Sequence, residues 1–131
     1  MPIKTIGHVG FTVSNMETAL DFYVNKLGFK EIVHMSHPGR EIVFVEICPG
    51  TSIELFSGGV HETAKGNDVI GFAHTCLIVE DMLGLLAELE AKGVEVPKDV
   101  VISPTGGARA MIYDPDGNGI ELSQRGTDAK F

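Results

Sequence analysis

Apolar and polar residues alternate over residues 5–13: Val9, Phe11 and Val13 form one row, and His8, Gly10 and Thr12 the other. A period of two marks a strand with one face on a core. Ser14-Asn15-Met16-Glu17 then reads as a capping box. Met16, Ala19, Leu20, Tyr23 and Leu27 recur at helical spacing, and Gly28 stands where such a helix should stop. Strands are expected over 29–35, 41–48 and 51–57, separated by Pro38-Gly39 and Pro49-Gly50. The first module is therefore βαβββ.

The pattern restarts after residues 58–71, which carry Gly58, Gly59, Gly66 and Gly71 among polar residues and read as a linker. Residues 72–79 are an expected strand, with Ala73, Thr75, Leu77 and Val79 on one side and Phe72, His74, Cys76 and Ile78 on the other. Asp81 can N-cap a helix carrying Met82, Leu85, Leu86 and Leu89, ended by Gly93. Strands are expected near 94–102, 107–113 and 119–124, the last two joined by the turn Asp114-Pro115-Asp116-Gly117-Asn118-Gly119. The halves also match by residue type: Asn15-Met16 with Asp81-Met82, and Ile53-Glu54-Leu55 with Ile120-Glu121-Leu122. The expected organisation is one α+β domain of two βαβββ modules, 1–57 and 72–131, joined through 58–71.

Composition narrows the function classes. The chain of 131 residues can build a sizeable core. Its net charge of −8 and lack of a basic run make nucleic acid and anionic membranes poor partners. The N-terminal residues lack a signal-peptide core and no apolar run reaches membrane length, so a cytoplasmic protein is expected. Cys48 and Cys76 have no metal or redox spacing and read as reduced thiols.

Chemistry enters with the polar rows. His8 precedes Glu54 by 46 positions, and His74 precedes Glu121 by 47. With Val9, Phe11, Val13, Ile53 and Leu55 turned to the helix, His8, Thr12, Ser52 and Glu54 face away from it, as do His74, Glu121 and Ser123 in the second module. A lone strand histidine is usually just hydrogen-bonded, and a lone glutamate at a strand end usually a solvated rim residue. Two of each, at matched positions and parity, point instead to a divalent metal held by His8, Glu54, His74 and Glu121. Two carboxylates neutralise a +2 ion, and a six-coordinate shell keeps two positions open; nickel, cobalt, zinc, manganese and iron all suit such donors.

These residues resemble the vicinal oxygen chelate superfamily, which includes glyoxalase I. The matching pieces are Gly7-His8-Val9-Gly10-Phe11-Thr12-Val13, Thr18-Ala19-Leu20-Asp21-Phe22-Tyr23, Leu27-Gly28-Phe29, Ile53-Glu54-Leu55, Phe72-Ala73-His74 and 114–122, spanning about residues 5–125. The resemblance implies paired modules forming an open U-shaped mixed sheet around the metal, with helices on the outer face. It carries the ligand roles over to His8, Glu54, His74 and Glu121, a set most like glyoxalase I, with nickel or zinc favoured. Glyoxalase I usually has an arginine four positions after its first ligand; here that position is Thr12. A glutathione carboxylate would need Arg40, Arg109 or Arg125 instead.

The implied activity is lyase or isomerase chemistry on a small-molecule carbonyl, such as a 2-oxoaldehyde adduct. Glu54 or Glu121 would remove the proton beside the carbonyl and the other glutamate return it, through a metal-stabilised enediolate. Thr12 and Arg109 are the expected substrate contacts, and a homodimer is expected because sheet edges need covering. Competing readings within the superfamily are an epimerase of a CoA thioester, as in methylmalonyl-CoA epimerase, an extradiol-type dioxygenase using His8, His74 and Glu121, and an antibiotic-resistance protein. His34, His37 and His61 are expected near turns or in the linker, Glu46 has no assigned face, and Phe44, Met111 and Cys76 are read first as packing.

Overall fold

The computed structural model describes residues 5–61 and 72–129. The chain divides into two compact units, Met1–Thr63 and Ala64–Phe131. Most of the expected linker, residues 62–71, lies outside the described residues.

In the first unit β1 spans His8–Thr12, α1 Met16–Leu20, β2 Lys30–His37, β3 Arg40–Cys48 and β4 Thr51–Phe56. The helix starts where the capping pattern places it, but the cap is Asn15, whose side chain accepts from Thr18 N at 2.9 Å. Past Leu20 the helix widens over Asp21–Lys26 into a π-helical turn, with Leu27 N donating to Phe22 O at 2.9 Å. Gly28 then takes the left-handed conformation, φ 80°, and ends the run. The wider turn buries two successive rings, Phe22 and Tyr23. Tyr23 is fully buried, edge-on to Phe22 at 5.1 Å and 6.2 Å from Phe11 on β1. Of the row predicted to face the helix, Phe11, Val13, Ile53 and Leu55 are buried and Val9 is half-buried, and Val43 and Val45 of β3 are buried with them.

The sheet order is β1-β4-β3-β2, with β1 parallel to β4 and the other pairs antiparallel. A parallel neighbour for β1 requires a crossover, and the helix and two hairpins supply it.

In the second unit β5 spans Thr75–Ile78, α2 Met82–Ala91, β6 Ala108–Tyr113 and β7 Gly119–Gln124. Asp81 caps α2 as expected, accepting from Gly84 N at 3.0 Å. Met82, Leu86 and Leu89 are buried, as are Ile112, Ile120 and Leu122. The order is β5-β7-β6, again with a parallel first pair, β5 with β7.

One expected strand is absent. Residues 94–102 form no ladder, so the second unit is βαββ rather than βαβββ. Pro97 lies within the segment and Pro104 just beyond it, and each lacks the N–H a ladder needs. On the face that Val94, Val96, Val100 and Ile102 would share, the exposed Lys98 interrupts the row, so the segment has no continuous apolar face to sheet. The class is α+β, with two mixed sheets rather than one continuous sheet through the described strands. No helix among the described residues is long and apolar enough to cross a membrane.

Candidate metal centre

On β1 and β4, His8 pairs with Ser52 and Gly10 with Glu54. His8 therefore stands two positions below Glu54 on the neighbouring strand and on the same face, the one away from α1. That offset places their backbones diagonally, roughly 7 Å along the strand and 5 Å across. The two side chains close the gap: His8 Nε2 lies 3.0 Å from Glu54 Oε2. Phe44, the β3 partner of Glu54, stands edge-on to the imidazole at 5.3 Å and steadies its plane.

The second unit repeats the arrangement. Cys76 pairs with Glu121, which sets His74 two positions below it, and His74 Nε2 lies 3.0 Å from Glu121 Oε2. Met111 takes the place of Phe44 as the antiparallel neighbour of the acid. Cys76 takes the place of Gly10, with Sγ 3.9 Å from Glu121 Oε1. Burial, then the Glu121 carboxylate, pushes this thiol up from its ordinary value, against the opposing pull of Arg125 and Arg109. Phe44, Met111 and Cys76, read from sequence first as packing, thus border the two pairs.

The spacing can be tested against metal coordination. Donors about 2.1 Å from one ion stand about 3.0 Å apart at a right angle and about 3.4 Å apart at a tetrahedral angle. Both pairs match a right-angle edge. The same distance is that of an N–H···O bond, so a proton can hold each pair in the same geometry. Both glutamates are largely buried and both histidines part-exposed, at 16 and 20% against 47 and 40%. The acids are therefore fixed while the imidazole edges remain reachable. Among the described residues no group of three or more His, Cys, Asp or Glu is placed to hold an ion, so each unit offers two ligands.

Other expected residues are placed as follows. Thr12 lies on the His8 face, exposed, at the far end of β1. Arg109 on β6 is exposed, with Nε 3.8 Å from Glu121 Oε1. Glu46 pairs with Ser52, which pairs with His8, so its face is that of the site. Only register could assign it, because a β-bulge follows it in β3 and breaks the alternation. His34 is not at a turn but within β2, exposed, 3.3 Å from Glu31 and 3.7 Å from Glu41. His37 ends the same strand opposite Arg40.

A duplicated α+β unit, each copy presenting one His–Glu pair on the face opposite its helix, defines a class of small paired-module proteins. The family model described as Glyoxalase/Bleomycin resistance protein/Dioxygenase superfamily matches residues 5–122, and the chain belongs to that superfamily. It is 29% identical over 126 residues to the Arabidopsis thaliana protein named lactoylglutathione lyase GLX1, covering 91% of this chain and 44% of that one. The chain thus spans about half the length of that relative. It is also 29% identical over 128 residues to the uncharacterized protein YwkD of Bacillus subtilis, covering 95% of this chain and all of the other. Among solved structures, a glyoxalase family protein from Enterococcus faecalis superposes with a TM-score of 0.81 at 26% identity, over 94% of this chain and 99% of that one. TnmS3, an antibiotic binding protein from a Streptomyces, superposes with a TM-score of 0.72 at 30% identity, over 95% and 98%.

Proposed function

We propose that the protein is a metal-dependent lyase or isomerase of the glyoxalase I type, acting on the adduct of a 2-oxoaldehyde with a thiol. The reading assigns one divalent ion to His8, Glu54, His74 and Glu121, brought together within one chain or across two copies in a cytoplasmic homodimer. The observation that carries it is the repeated pair: the same 3.0 Å Nε2–Oε2 spacing, at the same two-residue offset, in both sheets. A purely structural histidine gives no reason for that repetition. The names of the plant relatives, lactoylglutathione lyases, support the same chemistry.

When bound, the ion supplies a Lewis acid that acidifies the substrate C–H and stabilises charge on its oxygens. The chain's own residues do the rest. The imidazoles orient the carboxylates. Glu54 or Glu121 takes the proton next to the carbonyl, and the other returns it to the neighbouring carbon. Phe44 and Met111 flank the acids with apolar surface.

The likeness to TnmS3 supports a second reading, a binder of a small organic molecule without turnover. Metal analysis of the purified protein, followed by an assay with methylglyoxal plus several thiols, separates the two. Stoichiometric metal with thiol-dependent loss of methylglyoxal is the expected result. Metal-free protein that neither takes up nickel or zinc nor turns over any adduct would leave the binder.

A further inference from the structure

The two His–Glu pairs match in spacing but not in what surrounds the acid. Glu121 has both oxygens engaged. Its Oε2 lies 3.0 Å from His74 Nε2, while Oε1 lies 3.8 Å from Arg109 Nε and 3.9 Å from Cys76 Sγ. Glu54 has one engaged. Its Oε2 lies 3.0 Å from His8 Nε2, and among the described residues its Oε1 meets no donor.

Register shows that this difference is built into the repeat. Cys76 stands opposite Glu121 on β5, where the first unit has Gly10 opposite Glu54 on β1. Arg109 lies two positions before Met111, the β6 neighbour of Glu121. The first unit has Ile42 there, two positions before Phe44, the β3 neighbour of Glu54. A thiol and a guanidinium can donate; a glycine and an isoleucine side chain cannot. A Cβ at Gly10 would lie 3.2 Å from Phe56 Cε2, so an aromatic ring takes the room that Cys76 has in the second unit. Exposure does not account for the contrast, because the Glu54 and Glu121 side chains are 16 and 20% exposed.

A carboxylate that takes a proton from a substrate must turn an unoccupied oxygen towards it. We infer that Glu54 is the acid that takes the proton, and that Arg109 is a positioning residue which holds Glu121 Oε1 and keeps Glu121 with His74 during that transfer. This rests on the lyase or isomerase reading above. In the transfer the C–H bond beside the carbonyl breaks, its proton joins Glu54 Oε1, and its electron pair passes to the carbonyl. A proton returns to the neighbouring carbon in the second step, so the reaction is an isomerisation and consumes no co-reactant. His8 can keep Glu54 Oε2 meanwhile, so this acid acts without leaving its partner. Arg109 then serves the chemistry through Glu121 rather than by touching substrate.

Two readouts test the assignment. In metal-free protein, carbodiimide coupling of glycine ethyl ester, followed by peptide mass mapping, reports how free each carboxyl is. Glu54 should couple faster than Glu121. Arg109→Gln should speed Glu121 by about two- to fivefold, the worth of an exposed ion pair, and leave Glu54 unchanged. Arg109→Lys should restore most of the protection. In metal-loaded protein, the methylglyoxal–glutathione adduct deuterated at the former aldehyde carbon isolates the first transfer, read as deuterium release in a single turnover. Glu54→Gln should slow release roughly 10²–10⁴-fold, and Glu121→Gln by less than about tenfold. Adding Arg109→Gln to Glu54→Gln should recover about two- to fivefold, because the released Glu121 then takes the proton. An arginine that only supports the fold or touches substrate would lower the rate further instead. Equal coupling of the two acids, Glu121 coupling that ignores Arg109→Gln, a larger loss in Glu121→Gln than in Glu54→Gln, or a double variant slower than Glu54→Gln overturns the inference. A coupling difference that depends on Arg109, in protein that turns over no adduct, removes the lyase reading and leaves Glu54 as the open acid. Turnover by protein whose two acids couple alike does the reverse.

Discussion

His8 Nε2 stands 3.0 Å from Glu54 Oε2, although 46 positions separate them, because β1 lies parallel to β4 with His8 opposite Ser52. The pair is a product of register. Slide β4 by one residue and Glu54 turns to the helix side, into the row of Ile53 and Leu55, both buried. The apolar core therefore enforces the position of the acid.

Removing one imidazole should remove the site. His8→Ala or His74→Ala leaves a largely buried carboxylate without its partner and takes away one of four proposed ligands. Nickel or zinc binding, followed by calorimetry and metal analysis, should weaken by at least a hundredfold, about 2.7 kcal/mol. Stoichiometric uptake by the His8→Ala protein at wild-type affinity would defeat the four-ligand assignment.

Changing an acid to its amide should separate binding from chemistry. Glu54→Gln keeps shape and a metal-binding oxygen but gives up the base. The expected outcome is metal still partly bound and turnover down by roughly 10²–10⁴-fold, the usual worth of a general base. Comparing Glu54→Gln with Glu121→Gln in single-turnover solvent-exchange experiments identifies which acid takes the proton. Wild-type exchange rates in both variants would count against either acid as the base.

Asp114 is the buried carboxylate of the turn that launches β7. It is 4% exposed and accepts from Asp116 N at 2.9 Å and from Asn118 N and Nδ2, each at 2.8 Å. Asp114→Ala leaves these donors unmatched and should cost roughly 1–3 kcal/mol in urea denaturation. Asp114→Asn should recover part of that. Glu121 is four residues from Gly117, whose φ of 83° the turn requires, so the Ala variant should also blunt metal binding.

The Cys76 thiol ionises late, for reasons of burial first and Glu121 second. A folded value above the unfolded one means that the native state keeps a proton the unfolded chain has released. Its stabilising share is whole below the ordinary thiol range, about 8.5, and is lost as pH rises through the folded value. In metal-free protein, iodoacetamide should modify Cys76 more slowly at pH 8 than a short unstructured cysteine peptide. Cys76→Ser should flatten the fall of the urea midpoint above that range. Peptide-like alkylation kinetics would contradict this ordering.

The alternation of Val9, Phe11 and Val13 with His8, Gly10 and Thr12, and the matched Ile-Glu-Leu strands, were legible without coordinates. So were both helix starts, the first to within one residue of its Asn15 cap and the second at Asp81 itself, because caps and period-two rows are local features written in neighbouring residues. They were enough to name the class, the helix-facing rows and the four His and Glu residues. Three things waited for the tertiary structure. The 94–102 segment carries strand-like residues, yet prolines and a broken apolar face keep it out of the sheet. Glu46 gained its face only from pairing with Ser52 beside a bulge. Arg109 came within 3.8 Å of Glu121 only because β6 sets it against Ser123. Each of these depends on which strand lies beside which and in what register. That choice is made by the free energy of burying the whole core, and no window of neighbouring residues contains it.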